Sequence, residues 1–504
     1  MSLAVIHTRA QLGIEAPAVS VEVHLSGGLP SMSIVGLPET AVKESRERVR
    51  SALITSGFDF PQRRITVNLA PADLPKEGGR YDLAIAIGIL QASGQLKRWK
   101  GGDSTEMLGE LALSGAVRPV RGVLPAAVAA GRCGRRLMVA VDNAAEAVMA
   151  QGTEVFAFNH LLELVAHLSG KQRQEPVLSA ATDVGGRGLP DLADVKGQLQ
   201  ARRALEVAAA GGHNLLFSGP PGSGKSMLAA RLPGLLPPLE AEQQLEVAAI
   251  CSVAGQDVRP ACGGVRSFRA PHHTASAIAL VGGGSHPRPG EISLAHQGVL
   301  FLDELPEFPR RVLEVLREPM ETGEILISRA ARQTRYPARF QLVAAMNPCP
   351  CGYHNDGTDR CNCSPDQVRR YQQKISGPLL DRIDLQLQVP ALPPDALLQP
   401  NQPGESSASV RGRVVRAHQR QLARQGCMNR ELNGQDLEQY CALDETARAL
   451  LVRVMQQGQL SARACHRLLR VARTLADLAE EVHVEPPQLL EALAFRGLAG
   501  ADCG

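Results

Sequence analysis

The sequence contains few aromatic residues and no long apolar run. Phenylalanine, tyrosine and tryptophan make up 3% of its 504 residues, and Trp99 is its only tryptophan. A protein that reads nucleic-acid bases by stacking them on a sheet needs a larger supply of aromatic side chains. No stretch approaches the ~20 apolar residues that a membrane-spanning helix requires, so we predict a protein without membrane segments.

The sequence also lacks a charge bias and a secretion signal. Lys and Arg number 54 and Asp and Glu 51, and the resulting net charge of +3 says little about partners. The N-terminus has no basic segment followed by an apolar block, which argues against a signal peptide. The 11 cysteines, an odd number, indicate a reducing cytoplasm rather than a disulfide framework.

Local patterns predict a mixed domain at the N-terminus. Residues 19–23 and 65–69 alternate like half-buried strands, and residues 40–56 have the periodicity of an amphipathic helix. Residues 82–90 are almost continuously apolar, which favours a buried helix. These patterns indicate a compact α/β domain.

Two segments rich in Gly, Ser, Gln and Pro are predicted to be linkers, and they divide the chain. After the second segment, long helical periodicities with arginine-rich polar faces predict an all-helical domain. The predicted boundaries are 1–168 for the first domain, 169–190 for a linker, 191–399 for the core, 400–409 for a linker and 410–504 for the helical domain.

A phosphate-binding loop lies near the start of the core. The apolar strand at 214–217 runs into a G-x-x-x-x-G-K-[ST] motif and then into a helix, which is the context that this motif requires. Its glycines let backbone N–H groups close around phosphate oxygens. We expect Lys225 to contact the outer phosphates of ATP and Ser226 to bind Mg²⁺. The predicted nucleotide-binding residues are Gly219, Pro220, Pro221, Gly222, Ser223, Gly224, Lys225 and Ser226.

Two further apolar strands end in polar residues that suit ATP hydrolysis. Residues 298–302 lead into Asp303 and Glu304, and ligands bind at the carboxyl ends of such buried parallel strands. Asp303 is the expected acid beside Mg²⁺, and Glu304 is the candidate base that orients the attacking water. The strand at 340–346 ends at Asn347, whose amide can hold that water near the γ-phosphate.

Arg382 has two interpretations. It is flanked by Asp381 and Asp384, and an arginine between acids usually forms a structural ion pair. In a ring-forming ATPase, the same side chain can reach the γ-phosphate held by a neighbouring subunit, an effect of ~10³ to 10⁵ on hydrolysis for arginine fingers. Both interpretations remain open from the residues alone.

Four cysteines directly after Asn347 have the spacing C-x-C-x₉-C-x-C. Four thiolates can close a tetrahedral Zn²⁺ site, although the spacing departs from the commoner C-x₂₋₄-C. Reduced, unliganded thiols and a redox disulfide are the alternatives. Because all four positions would be filled by protein, a zinc ion here would be structural. The predicted ligands are Cys349, Cys351, Cys361 and Cys363.

The motifs GPPGSGKS, GVLFLDE, AAMNPCPCG and SGPLLDRID occur in this order. With FRAPHHTAS, PGEISLAH and the C-terminal segment LSAR…LLRVARTLADL, they resemble the YifB/ComM family of magnesium-chelatase-like AAA+ proteins over nearly the whole chain. The resemblance implies an α/β fold class with a Lon-protease-like N-terminal domain, a P-loop AAA+ domain with a parallel sheet, and a C-terminal helical lid. It also implies a cytoplasmic homo-hexameric ring with DNA in or near its pore.

The same resemblance assigns roles to several basic residues. It makes Arg463 a lid arginine that contacts nucleotide, whereas a solvated helix arginine is its plain interpretation. Insertions around 263–290 and 323–338 are expected to face the pore. The second insertion carries three arginines that suit contacts with a phosphate backbone, although a merely solvated basic hairpin is the alternative. These DNA-binding candidates are Arg329, Arg332 and Arg335.

Two other features are interpreted as non-catalytic. The adjacent His272 and His273 invite a metal site, but neighbouring side chains in a strand or loop are expected to point apart, so packing or a pore-loop role is favoured. Residues 69–82 look like the proteolytic domain of Lon-type proteases. There, Arg80 stands where that family has its serine and Leu124 where it has its lysine, so neither nucleophile nor base is present. We expect this domain to be a binding or assembly platform.

Together these expectations describe an ATP-dependent hexameric DNA motor. It would be a helicase or branch-migration translocase acting on recombination intermediates in DNA uptake and natural transformation. The alternative is a magnesium-chelatase-like or protein-remodelling ATPase without a DNA substrate, although the chain has no D-x-S-x-S stretch of a metal-insertion domain. An ATP-dependent protease is disfavoured by the missing dyad.

Overall fold

The chain folds into two compact units in a computed structural model. The first comprises Met1–Val184 and Ala241–Gly263, and the second comprises Gly185–Glu240 and Gly264–Gly504. The structure describes residues 3–178, 188–284, 287–329, 332–392, 404–456 and 461–496. Among these residues, no helix combines the length and the apolar character that crossing a membrane requires.

The first unit is built on a mixed sheet of seven strands in the order β3-β4-β2-β1-β5-β8-β9. Its strands, with the separate hairpin β6–β7, are β1 (Leu3–Arg9), β2 (Ala18–Ser26), β3 (Ser31–Val35), β4 (Arg64–Ala70), β5 (Thr105–Met107), β6 (Glu110–Leu111), β7 (Val117–Arg118), β8 (Arg136–Ala140) and β9 (Val155–Phe158). Strands β1, β2 and β4 pair antiparallel, whereas β5, β8 and β9 continue the sheet in parallel.

The helices of this unit cover the sheet. They are Thr40–Lys43, Ser45–Thr55, Asp82–Ala92, Val123–Arg132, Val141–Ala147, Leu161–Leu168, Ala241–Ala254 and Arg259–Cys262. The predicted strands and the buried helix at 82–90 are confirmed. In that helix a Cβ on Gly88 would lie 2.6 Å from a methyl carbon of Val23, so glycine permits the close approach to β2. The helix predicted over 40–56 is divided in two at Glu44.

Residues 241–263 join the first unit although they follow the phosphate-binding loop in the chain. The N–H of Leu124 lies 3.4 Å from Ser252 Oγ, and the N–H of Gly122 donates to the Ser252 carbonyl over 3.2 Å. Val247, Ile250 and other apolar residues of the helix Ala241–Ala254 are buried. The stretch predicted as one core, 191–399, therefore contributes a helical pair to the other unit.

The second unit contains a five-stranded sheet in the order β11-β14-β17-β10-β18, with all neighbours parallel. Its strands and the hairpins beside it are β10 (Leu215–Ser218), β11 (Phe268–Arg269), β12 (Gly282–Gly283), β13 (Arg288–Pro289), β14 (Val299–Leu302), β15 (Glu324–Arg329), β16 (Arg332–Pro337), β17 (Gln341–Met346) and β18 (Leu385–Gln388). Strands β10, β14 and β17 are buried throughout, as apolar central strands of a parallel sheet should be. The predicted α/β class with a parallel-sheet core is confirmed.

Helices surround this sheet and continue into the C-terminal region. They are Leu199–Gly211, Lys225–Ala229, Leu232–Leu235, Ala277–Val281, Glu291–Leu294, Arg310–Val315, Arg317–Thr322, Pro365–Gln372, Gly377–Leu380, Ser407–Gln425, Gly434–Tyr440, Glu445–Gln456, Ala462–Leu478 and Pro486–Ala494. The helix Ser407–Gln425 begins inside the segment predicted as a linker, because the Ser406 hydroxyl accepts the Ser409 N–H and caps it. Its apolar side chains share one core with the sheet and with the helix Leu199–Gly211. Short 3-10 helices lie at Gly102–Ser104, Leu192–Asp194, Leu305–Glu307 and Asn429–Glu431.

Candidate nucleotide site and its surroundings

The phosphate-binding loop leaves the sheet at the carboxyl end of β10, which lies between β17 and β18. Gly222 and Gly224 have φ angles of 77° and 90°, in the left-handed region where a side chain would be strained. A Cβ on Gly219 would lie 2.1 Å from the Val389 carbonyl oxygen, so the loop can pass this close only as glycine. Backbone N–H groups of such a loop are free to turn toward an anion.

Lys225 lies at the start of the following helix and is buried. Its Nζ donates to the carbonyl oxygens of Gly219 and Pro220 over 2.7 and 2.9 Å, and to Asn347 Oδ1 over 3.2 Å. Burial lowers the pKa of Lys225, and the charges of Asp303 and Glu304 oppose that effect. The predicted lysine, asparagine and acids thus lie around one point at the edge of the sheet.

Ser226 and Asp303 form a second pair at this edge. The Ser226 hydroxyl donates to Asp303 Oδ2 over 2.5 Å, although the two residues are far apart in the chain. A hydroxyl and a carboxylate are hard oxygen ligands of the kind that Mg²⁺ prefers, and Mg²⁺ is usually held by few protein ligands together with substrate phosphates. The donor set therefore fits the predicted cation.

Glu304 follows Asp303 in an unusual conformation. Its φ is 53°, which is uncommon for a residue with a side chain, and its N–H donates to Asp303 Oδ1 over 2.9 Å. Its Oε2 lies 2.9 Å from Nδ1 of His273, and its side chain is 51% exposed. Sequence reasoning missed this contact, since it comes from the pairing of β11 with β14, and β11 is only two residues long.

The two adjacent histidines do not point apart. The ring centroids of His272 and His273 lie 4.1 Å from one another with 33° between the planes, so the expected divergence of the side chains is wrong. His272 Nδ1 bonds with Thr274 Oγ1 over 2.8 Å, and His273 contacts Glu304. The loop bends back on itself here, which an extended chain would not do.

The four predicted zinc ligands converge. Cys349 Sγ lies 3.2 Å from Cys351 Sγ and 3.8 Å from Cys361 Sγ, and Cys351 and Cys361 are 3.6 Å apart. The sulfurs of these three residues and of Cys363 all lie within 4.8 Å of one another. Tetrahedral Zn²⁺ with bonds of ~2.3 Å places sulfurs about 3.8 Å apart, so the cluster fits this ion. Hydrogen bonding, above all from the Tyr353 backbone, lowers the pKa of Cys351 to about 6, which favours the thiolate.

The cysteine loop also contacts the nucleotide site. Gly352 has a φ of 87°, and a Cβ on it would lie 2.6 Å from Pro221 Cδ and 3.8 Å from Asn347 Cγ. Pro221 belongs to the phosphate-binding loop, and Asn347 ends β17. A metal bound by the cysteines would therefore brace two parts of the pocket.

Arg382 and Arg463 line a different cavity of about 630 Å³. Among the residues that the structure describes, none of the phosphate-binding loop lines it. Arginines dominate its charged lining: Arg339, Arg382, Arg430, Arg463, Arg467 and Arg470, set against Glu321, Asp381, Asp384 and Glu431.

Arg382 is ion-paired, but not with the acids that flank it in the sequence. It bonds with Glu321 and donates to the Pro378 carbonyl over 2.6 Å. Asp381 instead pairs with Arg467 over 3.1 Å, and Asp384 lies 3.5 Å from His213. The flanking acids therefore have other partners, and Arg382 pairs with Glu321, which lines the same cavity.

The basic hairpin is formed by β15 and β16, in which Arg329 is paired with Arg332. The side chains of these two arginines lie outside the described part of the structure. Arg335 is 70% exposed and lies 3.2 Å from Glu324. The Tyr336 hydroxyl donates to the Pro287 carbonyl over 2.8 Å, so the hairpin contacts the other predicted insertion.

The two positions predicted to replace the Lon dyad are both buried. Arg80 Nη2 donates to Gln11 Oε1 and to the Arg121 carbonyl, each over 2.6 Å. The Leu124 side chain is fully buried, and its N–H lies 3.2 Å from Glu146 Oε1. Neither an arginine nor a leucine side chain can act as a nucleophile or a general base here.

Comparison with known proteins places the chain in one family. The description "Magnesium chelatase, subunit ChlI" matches residues 191–397, a related ChlI description matches 21–143, and the C-terminal ChlI description matches 404–496. YifB of Salmonella typhimurium strain LT2 is 51% identical over 499 residues, covering 99% of this chain and 98% of the relative. Competence protein ComM of Haemophilus influenzae Rd is 49% identical over 502 residues, with coverage of 99% and 98%.

More distant similarity reaches the chelatases themselves. The magnesium-chelatase 38 kDa subunit of Acidiphilium rubrum is 33% identical over only 70 residues, which is 14% of this chain and 20% of that subunit.

Proposed function

We propose a function for this chain from one premise: it belongs to the YifB/ComM family of magnesium-chelatase-like proteins. In our proposal the chain is an ATP-driven hexameric motor on DNA. It acts as a helicase or branch-migration translocase on recombination intermediates during DNA uptake and natural transformation. The observation that supports a multi-subunit motor is that the cavity lined by Arg382 and Arg463 is separate from the phosphate-binding loop of the same chain.

The proposed chemistry is hydrolysis of the γ-phosphate of ATP. The loop N–H groups and Lys225 bind the phosphates, and Asn347 helps to place the attacking water. Ser226 and Asp303 would hold Mg²⁺, which neutralises charge on the phosphate oxygens when bound. Glu304 is proposed as the base that orients the water and accepts its proton.

The arginine cavity supports action between subunits. Arg382 and Arg463 line one cavity together, away from the chain's own phosphate-binding loop. We infer that both reach the nucleotide of a neighbouring copy, where positive charge stabilises the transition state. Such a site is complete only when chains associate, which is why the proposal includes a ring.

DNA is proposed as the substrate on two grounds. A relative that is 49% identical over nearly its whole length is named a competence protein. The hairpin β15–β16 carries Arg329, Arg332 and Arg335, of which Arg335 is exposed, and it contacts the neighbouring insertion. Arginines at such positions suit contacts with a phosphate backbone.

A second candidate function is a chelatase-like or protein-remodelling ATPase without DNA. The match of residues 191–397 to a magnesium-chelatase subunit favours it. Both candidates share the ATP chemistry, so the substrate alone separates them.

The deciding experiment is a salt-titrated binding assay with forked DNA and a non-hydrolysable ATP analogue. We expect tight binding that weakens steeply with salt, because phosphate contacts release counterions. Replacing Arg329, Arg332 and Arg335 with alanine should weaken binding to all sequences alike and lower the salt slope by about 1 per lost contact.

Arg98→Ala is a matched control, since Arg98 is an exposed arginine of the first unit that pairs with Asp103. Unchanged DNA binding by the triple variant would exclude these arginines as DNA contacts. Active ATP hydrolysis with no DNA binding at low salt would favour the second candidate.

A further inference from the structure

The contact between His273 and Glu304 links the carboxylate proposed as the base to the FRAPHHTAS segment. His273 follows β11, and Glu304 follows β14. These strands are parallel neighbours, with Phe268 opposite Val299 and Arg269 opposite Leu300. Because parallel strands end at the same edge of a sheet, the loop after β11 comes to lie beside the acids after β14.

The imidazole of His273 is held in place from several sides. The His272 ring lies against it at 4.1 Å, and the Phe308 ring meets it edge-on at 6.5 Å. The start of the loop is anchored by Arg269, which donates to both carboxylate oxygens of Glu291 over 2.7 and 2.8 Å. These contacts orient the His273 ring independently of the Glu304 carboxylate.

The Glu304 carboxylate, in contrast, is not held by burial. The Glu304 side chain is about half exposed, and its backbone has the left-handed φ of 53°. A glutamate has three rotatable side-chain bonds, and fixing it costs conformational entropy. The contact of His273 Nδ1 with Oε2 over 2.9 Å involves one carboxylate oxygen, so the other, Oε1, can take the proton of a water.

We propose that His273 is a positioning residue that orients the Glu304 carboxylate for ATP hydrolysis. The proposal rests on Glu304 being the base, as proposed above. General-base catalysis depends on hydrogen-bond geometry, and small displacements of a catalytic group cost large factors in rate. In this proposal His273 acts through the glutamate and not directly on the substrate.

The test is steady-state ATP hydrolysis by the full-length protein. His273→Ala should lower kcat about tenfold and leave KM for ATP unchanged, because the base loses its orientation while the phosphate-binding residues remain. His273→Asn should recover most of kcat. The amide nitrogen of asparagine and Nδ1 of histidine are both two bonds from Cβ, so the amide can donate to the carboxylate from a similar position.

His24→Ala is the control, because His24 is an exposed histidine on β2 of the first unit. An unchanged kcat in His273→Ala would overturn the proposal. So would an equal loss of kcat in His24→Ala, or a failure of His273→Asn to recover activity while circular dichroism shows a folded protein.

A fourth variant separates this inference from the proposed function. Glu304→Gln should bind ATP and lose turnover. If Glu304→Gln hydrolyses ATP normally, the role proposed for Glu304 is wrong and the inference falls with it. If Glu304→Gln is inactive but His273→Ala is not impaired, the base stands and only the role of His273 is rejected.

Discussion

At the scale of residues, charge placement distinguishes two groups of cations around the second sheet. Lys225 is enclosed by oxygens of its own loop and of Asn347. Arg382 and Arg463 line a cavity that the loop does not reach in the described part of the chain. Lysine suits a point contact with phosphate, whereas the planar guanidinium suits charge on several oxygens at once.

The separation of these cations leads to a test with mixed proteins. Arg382→Ala should bind ATP but hydrolyse it about 10³-fold more slowly, because the arginine acts on a transition state rather than on binding. Lys225→Ala should fail to bind ATP productively. Mixing the two should restore part of the activity, since a Lys225→Ala copy still presents Arg382 to its neighbour's intact loop. ATPase rates across mixing ratios measure this.

The control for that mixture is Arg98→Ala, an exposed arginine of the first unit that pairs with Asp103. It should leave hydrolysis unaltered. A mixture no more active than its two components would mean that Arg382 acts within its own chain or not at all.

The sequence was enough to predict which residues meet at the candidate nucleotide site, but it did not predict the contact of His273 with Glu304. The motif spacing predicted Lys225, Ser226, Asp303 and Asn347, and the structure brings these four together. The meeting of His273 with Glu304 depends on the pairing of two short strands, and sequence periodicity carries no signal for a strand of two residues.

At the scale of elements, the loop that carries the four cysteines packs against the candidate nucleotide site. Its sulfurs converge, and Gly352 packs on Pro221 of the phosphate-binding loop. A loop of this length without secondary structure of its own gains order chiefly from such a crosslink. Loss of a metal bound there should therefore weaken the binding of the ATP phosphates.

We expect the purified protein to contain about one zinc per chain. Cys361→Ser should lower the zinc content and raise KM for ATP several-fold, because the loop no longer supports Pro221 and Asn347. Elemental analysis and ATPase kinetics measure the two effects. Cys427→Ser, a cysteine outside the cluster, should change neither. Full zinc occupancy in Cys361→Ser would exclude the tetrahedral site.

Strong periodic patterns predicted elements better than boundaries. The strand over 65–69 and the helix over 82–90 were predicted because their apolar residues recur with the period of each structure. The break of the first helix at Glu44 and the start of another helix at Ser407 were not, since capping and turns depend on one or two residues.

At the scale of the whole molecule, the two compact units do not follow the chain in simple order. Residues 241–263 belong to the first unit but lie between parts of the second. The chain leaves and returns at neighbouring points, because the Leu239 N–H donates to the Gly264 carbonyl over 3.0 Å. The sequence could not reveal this membership. The local pattern of a helix is the same whether it packs on its neighbours in the chain or on a unit far away in the sequence.

Deletion of residues 1–168 should therefore yield an aggregating fragment. The helix Ala241–Ala254 would lose its packing partners and expose Val247, Ile250 and Val253, which are buried in the full chain. Replacing 241–263 in the fragment with a short Gly-Ser connection should restore solubility, measured by size-exclusion chromatography. A soluble fragment that keeps 241–263 would contradict the expectation.

The covalent connections have a consequence for how the protein can vary. Since the polypeptide passes between the units three times, after Val184, Glu240 and Gly263, a single recombination crossover or proteolytic nick cannot release one unit intact. Exchange of residues 1–184 between relatives would transfer most of the first unit without its own helical pair. We therefore expect the segments of the two units to be inherited together.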